Sequence, residues 1–265
     1  MKVAVAGLGL IGGSFFKAAK KAGHDVAGLH HGDCGEKLSD AELVMVCMPP
    51  EAIVPWIAAH RNDFRKGAVV VDICGTKRNI MRAISKVEKN GWTFIGGHPM
   101  AGREVSGYEN SLAGLFKGAS MILVPEKNGA PKEVLAKLEA FFKSVGFARV
   151  VVADAKTHDS MIAFTSQLCH VIATSYSRDP KVARSLGFSA GSYDDMTRIA
   201  TQNEDDRSRL YLGNKDSLVK VLDSFIARMG EMRGAIASGD EKKLKRMIRE
   251  GTKAKKIELA RRSAQ

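Results

Sequence analysis

The sequence predicts an α/β domain followed by an all-α domain, and two observations carry that reading. Up to about residue 154, short apolar runs rich in Val and Ile alternate with helix-like segments, the pattern of a parallel sheet covered by helices on both faces. From Ala155 onward the strand signal stops, and the long segments all read as helices. The expected domains are 1–154 and 155–265, and a length of 265 residues suits two modest domains.

In chain order, the expected strands are "KVAVAGL", "DVAGL", "LVMVCMP", "AVVVDIC", "TFIGG", "SMILVP" and "ARVVVAD". Helical patterns between them cover Ile53–Phe64, Arg78–Asn90 and Pro131–Val145. The link from His31 to Ser39 is too short for a full helix-plus-strand crossover, so the second unit of the sheet is expected to be abbreviated. In the second half, Ala155–Ser177, Asp205–Asn214, Lys215–Ser238 and Glu241–Ser263 read as helices, with "GFSAGSYDD" as the glycine- and serine-rich break. These helices carry more apolar surface than a domain of about 110 residues hides alone, so a homodimer is expected.

Composition narrows the class. Hydrophobic content of 45% is ordinary for a folded protein, and no apolar run reaches membrane-spanning length. Cys34, Cys47, Cys74 and Cys169 are scattered without metal-type pairs, which suggests reduced thiols in a cytoplasmic protein with no metal site. Much of the net charge of +12 lies in "KKLKRMIREGTKAKKIELARR" near the C-terminus. A solvated helix face explains it, and the absence of interleaved aromatics argues against a cofactor-sensing regulator that binds nucleic acid. A basic protein also draws in anionic small molecules.

The first strand runs into "GLGLIGGS", which holds Gly7, Gly9 and Gly12 in the G-x-G-x-x-G spacing. A strand before and a helix after make this a dinucleotide site: a tight turn, close approach to a pyrophosphate, then helix amides aimed at it. Cofactor contacts are expected from Gly7, Leu8, Gly9, Leu10, Ile11 and Gly12, from His30 and His31, and from Pro49 after the third strand. An NAD site usually ends its second strand in Asp or Glu, whereas this strand ends in His30 and His31. Two histidines do not repel a 2′-phosphate, which puts NADP ahead of NAD, although Asp33 stands close enough to fold back.

A lone histidine in "GGHPMAGRE" is the most pointed feature of the first half. The residue before a proline is pushed out of the helical region, so His98 sits extended at a strand exit. Gly97 and Gly102 allow sharp turning and close approach. On this stretch alone, His98 is either a base aimed at a ligand or a turn residue bonded to a carbonyl.

With these motifs in hand, the chain resembles the prephenate dehydrogenase family, which includes arogenate and cyclohexadienyl dehydrogenases. The marks are "GLGLIGGS", "VVVDICGTK", "GGHPMAGREVSGYENSLAGLF", "HDSMIAFTSQLCHVIA" and "DDMTRIA", spread over nearly the whole chain. The resemblance implies a Rossmann-type domain, an all-helical dimerisation domain, and oxidative decarboxylation of prephenate to 4-hydroxyphenylpyruvate in tyrosine biosynthesis. His98 matches the family's catalytic histidine, and Arg198 the arginine that holds a substrate carboxylate, with a structural pair to Asp194 or Asp195 as its other reading. His170 matches a position that contacts substrate, against the reading of a satisfied core histidine. Many relatives carry a serine that bonds the catalytic histidine where this chain has Gly75, so either the neighbouring Thr76 takes over or something else orients His98. Lys77 matches a recurrent basic residue, expected to meet a carboxylate or the cofactor. Arg103 is expected as a second cation in the mouth of the site, with Glu104 as its gate partner or part of an ordinary surface pair.

The first helix of the second half adds a hint of its own. Ser166 and His170 each fall within about 20° of Asp159 round an ideal α-helix, a thin polar stripe expected to wall the cleft. Rival dehydrogenases of the same plan, of the 3-hydroxy acid type, need a lysine base near an asparagine, and no convincing match is present. Prephenate and arogenate are not separated by the sequence.

Overall fold

The computed structural model describes residues 1–29, 35–103 and 105–263. By internal contacts the chain forms two compact units, Met1–Lys215 and Asp216–Gln265. The first holds one seven-stranded sheet: β1 (Lys2–Ala6), β2 (Asp25–Leu29), β3 (Leu43–Val46), β4 (Val69–Asp72), β5 (Thr93–Pro99), β6 (Ser120–Pro125) and β7 (Arg149–Val152), in spatial order β2-β1-β3-β4-β5-β6-β7. The strands carry α1 (Leu10–Lys21), α2 (Glu36–Ser39), α3 (Pro50–Ala59), α4 (Arg78–Ile84) and α5 (Lys132–Ser144) between them. The abbreviated second unit is present as the four-residue α2.

One expectation about the sheet is corrected. β1 to β5 pair in parallel, but β6 runs antiparallel to β5, with His98 opposite Ile122. A parallel return needs a crossover, usually helical. Among the described residues of the segment between β5 and β6, the one helical element is a 3₁₀ turn, Tyr108–Asn110, and the chain doubles back.

Side chains alternate across the sheet as a doubly covered strand requires. Val3, Val5, Leu43, Met45, Val69 and Val71 face one core with Phe15 of α1 and Phe141 and Phe142 of α5. Ala4, Ala6, Val44, Val46 and Val70 face the other with Ile53 and Ile57 of α3 and Ile80 and Ile84 of α4. Phe15 stacks on Phe116 with ring centroids 4.1 Å apart, which anchors the β5–β6 connection to α1.

Beyond β7, Asp154 caps α6 (Ala155–Ile162) by accepting from the backbone N–H groups of Lys156 and Thr157. A π turn, Ala163–Gln167, separates α6 from α7 (Leu168–Ser177), so the expected Ala155–Ser177 helix is not regular throughout. The expected break also holds more order than foreseen, since Gly191–Thr197 forms α8. α9 (Glu204–Gly213) starts at an Asn203 cap. The second unit is made of α10 (Lys215–Ala237) and α11 (Glu241–Ser263); Ile226, Met229 and Ile236 of α10 and Ile248 and Leu259 of α11 are exposed. Among the described residues no helix is long and apolar enough to cross a membrane.

A fully buried ion pair sets the exits of β4 and β5. Asp72 Oδ2 accepts from Lys77 Nζ at 2.5 Å and from the Cys74 N–H at 2.8 Å, and Oδ1 accepts from the Gly97 N–H at 3.1 Å. Neither charge is exposed, so removing one partner strands the other in a medium that solvates it poorly. Lys77→Ala is expected to lower the free energy of unfolding by about 3–5 kcal/mol, read from urea denaturation. A loss under about 1 kcal/mol, the size of a surface pair, would contradict this assignment.

Candidate active site

The glycine loop is shaped by contact. Gly7 sits at φ +89, and a Cβ there would lie 2.3 Å from the Cys47 carbonyl oxygen. A Cβ on Gly12 would lie 1.9 Å from the Gly7 carbonyl oxygen, so Gly12 lets α1 start directly against the turn. Gly9 differs: a Cβ there would meet nothing within 4 Å, and its place is the open cradle at the N-terminus of α1. Leu8 turns into β2, with Cδ1 2.8 Å from where a Cβ on Gly28 would stand. Leu10 and Ile11 form the first turn of α1, and Pro49 caps α3. An open backbone pocket ahead of helix amides, with no acidic residue in the first turn, fits a dinucleotide pyrophosphate. His30, His31 and Asp33, and with them the choice between NADP and NAD, lie outside the described residues, as does Glu104.

His98 is half-buried near the end of β5, and its glycines make room for the apparatus behind it. A Cβ on Gly97 would lie 2.3 Å from the Asp72 carbonyl oxygen, and one on Gly96 would lie 2.9 Å from Cδ of Lys77. Nδ1 of His98 is 2.9 Å from Nε2 of His158, and Nδ1 of His158 is 2.7 Å from Oδ1 of Asp159. That carboxylate also accepts from the Lys77 N–H at 2.7 Å and the Arg78 N–H at 2.9 Å, capping α4. On its other side, Nε2 of His98 lies 3.8 Å from where a Cβ on Gly75 would stand. Burial first, then the repulsion that two protonated rings, His98 and His158, would exert on each other, then the Lys77 ammonium, hold the His98 imidazole well below the ordinary histidine range.

Several expected positions are corrected. Thr76 does not orient His98; its hydroxyl is buried 3.7 Å from Sγ of Cys74, and His158 supplies the partner instead. Lys77 does not face a ligand, because its ammonium is spent on Asp72. Asp159 leaves the expected polar stripe to cap α4, and the π turn shifts the register between it and His170. Sequence reading passed over His158 because nothing local couples residues 60 positions apart; its signal was an His-Asp pair opening a helix.

A second group forms around α7. Nδ1 of His170 is 3.2 Å from the carbonyl oxygen of Ile199, which places it beside the 3₁₀ turn Arg198–Ala200. Arg198 is exposed at the start of that turn, and Ser166 is half-buried in the π turn, a local geometry frequent at functional sites. Gln167 links Asn214 to the Leu210 carbonyl, and Asn214 in turn donates to the Asp159 carbonyl. Arg103 is exposed, with Nη1 3.3 Å from the Asn110 carbonyl oxygen. Burial pushes the thiols of Cys47 and Cys74 up, so neither is a ready nucleophile.

A phosphate-ready glycine cradle and a half-buried histidine tied at Nδ1 to a second histidine fit a dinucleotide-dependent oxidoreductase. A family model described as the nucleotide-binding domain of prephenate dehydrogenase matches residues 13–152, and one described as its dimerization domain matches 154–250. A cyclohexadienyl dehydrogenase of Zymomonas mobilis is 30% identical over 280 residues, covering 96% of this chain and 94% of its own. A prephenate dehydrogenase of Bacillus subtilis is 27% identical, covering 93% of this chain and 73% of its own. Among solved structures, arogenate dehydrogenase from Synechocystis has a TM-score of 0.81 at 22% identity, covering 96% of this chain and 99% of its own. Prephenate dehydrogenase from A. aeolicus, in complex with hydroxyphenyl propionate and NAD+, has a TM-score of 0.79 at 24% identity and 97% coverage of each chain.

The chain belongs to the prephenate dehydrogenase family. It is an NAD(P)-dependent oxidoreductase of the group that holds the prephenate, cyclohexadienyl and arogenate dehydrogenases of tyrosine biosynthesis. Gly12→Ala is expected to weaken binding of the reduced dinucleotide roughly 10-fold or more, since its Cβ forces the turn open and displaces the helix amides. Fluorescence titration with NADH and NADPH checks this, and unchanged affinity for both would move the cofactor away from the cradle.

Proposed function

We propose that this chain catalyses the oxidative decarboxylation of prephenate to 4-hydroxyphenylpyruvate, with His98 as the base and NADP preferred over NAD. The observation that carries the reading is the setting of His98: one ring nitrogen is held by His158, and the other lies on the side of Gly75, 3.8 Å from where a Cβ there would stand. When bound, the nicotinamide dinucleotide supplies a two-electron acceptor for the hydride that leaves the hydroxyl-bearing ring carbon. His98 accepts the hydroxyl proton as a carbonyl forms at that carbon. The bond to the ring carboxylate then breaks, carbon dioxide leaves, and its electron pair makes the ring aromatic. The phenolate oxygen takes the proton back from His98. The proton is lent, not released.

Prephenate is a dianion, and the guanidinium of Arg198 suits one carboxylate through two parallel hydrogen bonds. His170 and Ser166 stand on the neighbouring turns as further contacts, with Arg103 as a second cation. The NADP preference rests on His30 and His31 replacing the ribose-binding acid. The matched dimerization domain and the exposed apolar residues of α10 and α11 support a homodimer, working as a cytoplasmic biosynthetic enzyme.

A two-by-two assay decides the substrate and the cofactor: prephenate or arogenate, each with NAD or NADP, read as reduced cofactor formed. Prephenate with NADP is expected to give the highest kcat/KM. Faster arogenate turnover would assign the other substrate, and no turnover of either would end this reading. His98→Asn is expected to lower kcat by roughly 10²–10⁴ with KM little changed, since the amide cannot take the proton. The base works unprotonated and is held well below the ordinary histidine value of about 6.5. Wild-type kcat/KM should therefore stay level as pH falls through that range and decline only below it. A variant with near-normal kcat would place the proton acceptor elsewhere.

A further inference from the structure

Hydrogen-bond direction along the buried chain Asp159, His158, His98 is fixed from one end. A carboxylate only accepts, so Nδ1 of His158, 2.7 Å from Oδ1 of Asp159, must donate. A neutral His158 then presents a bare Nε2. The atom 2.9 Å from it is Nδ1 of His98, which must carry the hydrogen and donate it. Nε2 of His98 is left with its lone pair, on the side where Gly75 withholds a side chain.

Building on the proposed reaction, we propose that His158 is a positioning residue. With Asp159 behind it, it holds His98 in the tautomer whose Nε2 is the base, and shares the positive charge while the proton is on loan. The other arrangement defeats the chemistry. If His158 were an imidazolium donating to Nδ1, Nε2 of His98 would carry the hydrogen and could accept no proton. Of the charged groups packed around the pair, Lys77 is paired with Asp72, and the Asp159 carboxylate is held by three hydrogen bonds, from two backbone N–H groups and from Nδ1–H of His158.

The chain of groups is a dead end. His158 is 2% exposed and Asp159 is 1% exposed, so the path does not lead to solvent. A wire to bulk water would suit a reaction that discharges a proton. A closed store suits one that returns the proton to the oxygen it came from. When Nε2 takes the substrate proton, the Nδ1–H bond to His158 becomes a charge-assisted one, and Asp159 steadies the ring that receives it.

Three measurements test this. In ¹⁵N-histidine-labelled enzyme without substrate, the His98 signals, assigned by their loss in His98→Asn, should be pyridine-like at Nε2 and pyrrole-like at Nδ1. His158→Ala should lower kcat by roughly 10- to 10³-fold, part of the full base contribution, with KM within about threefold. His158→Gln, whose carbonyl oxygen can accept from Nδ1–H, should keep the tautomer and recover much of the loss. A pyridine-like Nδ1 in the wild type, a His158→Ala kcat within about threefold of wild type, or a Gln variant no better than Ala would each overturn the assignment. The tautomer measurement needs no substrate and no variant of His158, so it stands if the alanine protein fails to fold or the substrate assignment fails.

Discussion

The carboxylate of Asp159 is the fastening point of the first unit. One oxygen receives His158 and the Lys77 N–H, the other receives the Arg78 N–H, and the residue's own carbonyl receives Asn214. Three segments from distant parts of the chain meet there: the turn that leads from β4 into α4, the helix α6, and the end of α9. An anion at a helix N-terminus is favoured by the orphan amides and the helix dipole, so capping α4 stabilises the charge that also steadies His158. His98 inherits its orientation from this arrangement, since its Nδ1 is bound to the ring that Asp159 holds.

A second buried carboxylate, Asp72, does complementary work on the strand side. It gathers the turn after β4 and the exit of β5 through the Cys74 and Gly97 amides, and Lys77 neutralises it. The glycines before His98 are explained by this pair, because the lysine stem and the Asp72 carbonyl pass where their side chains would be. Two acids thus brace the histidine from opposite directions, one through its backbone and one through its ring.

Much of this was legible in the sequence where the signal was local. The glycine loop, strand alternation, abbreviated α2 and extended histidine before Pro99 follow from short-range sterics and period-two patterning. The antiparallel turn into β6 was not legible, because it depends on a missing crossover and leaves the apolar pattern of the strand unchanged. The π turn hid for a related reason: one extra residue in a helix alters register without altering composition. Lys77 misled because charge alone suggests a ligand, while its partner Asp72 lies five residues back across a turn that must first be built. His158 was invisible as a partner of His98, since only the packing of α6 beside α4 brings them together.

Gly75 shows how these constraints combine. Resemblance to relatives raised the expectation of a serine there that bonds the histidine, and its absence looked like a missing part. In this fold a hydroxyl at position 75 would stand beside Nε2, not Nδ1, given the 3.8 Å separation from the site of a Cβ. Nδ1 is already taken by His158, so such a hydroxyl would occupy the nitrogen that the proposed chemistry needs open. A base of this kind has two requirements, one nitrogen tied so that the ring cannot turn and the other bare toward the substrate. Here a histidine sixty residues downstream meets the first, and Gly75, which adds no polar side chain beside Nε2, leaves the second nitrogen unbonded on that side.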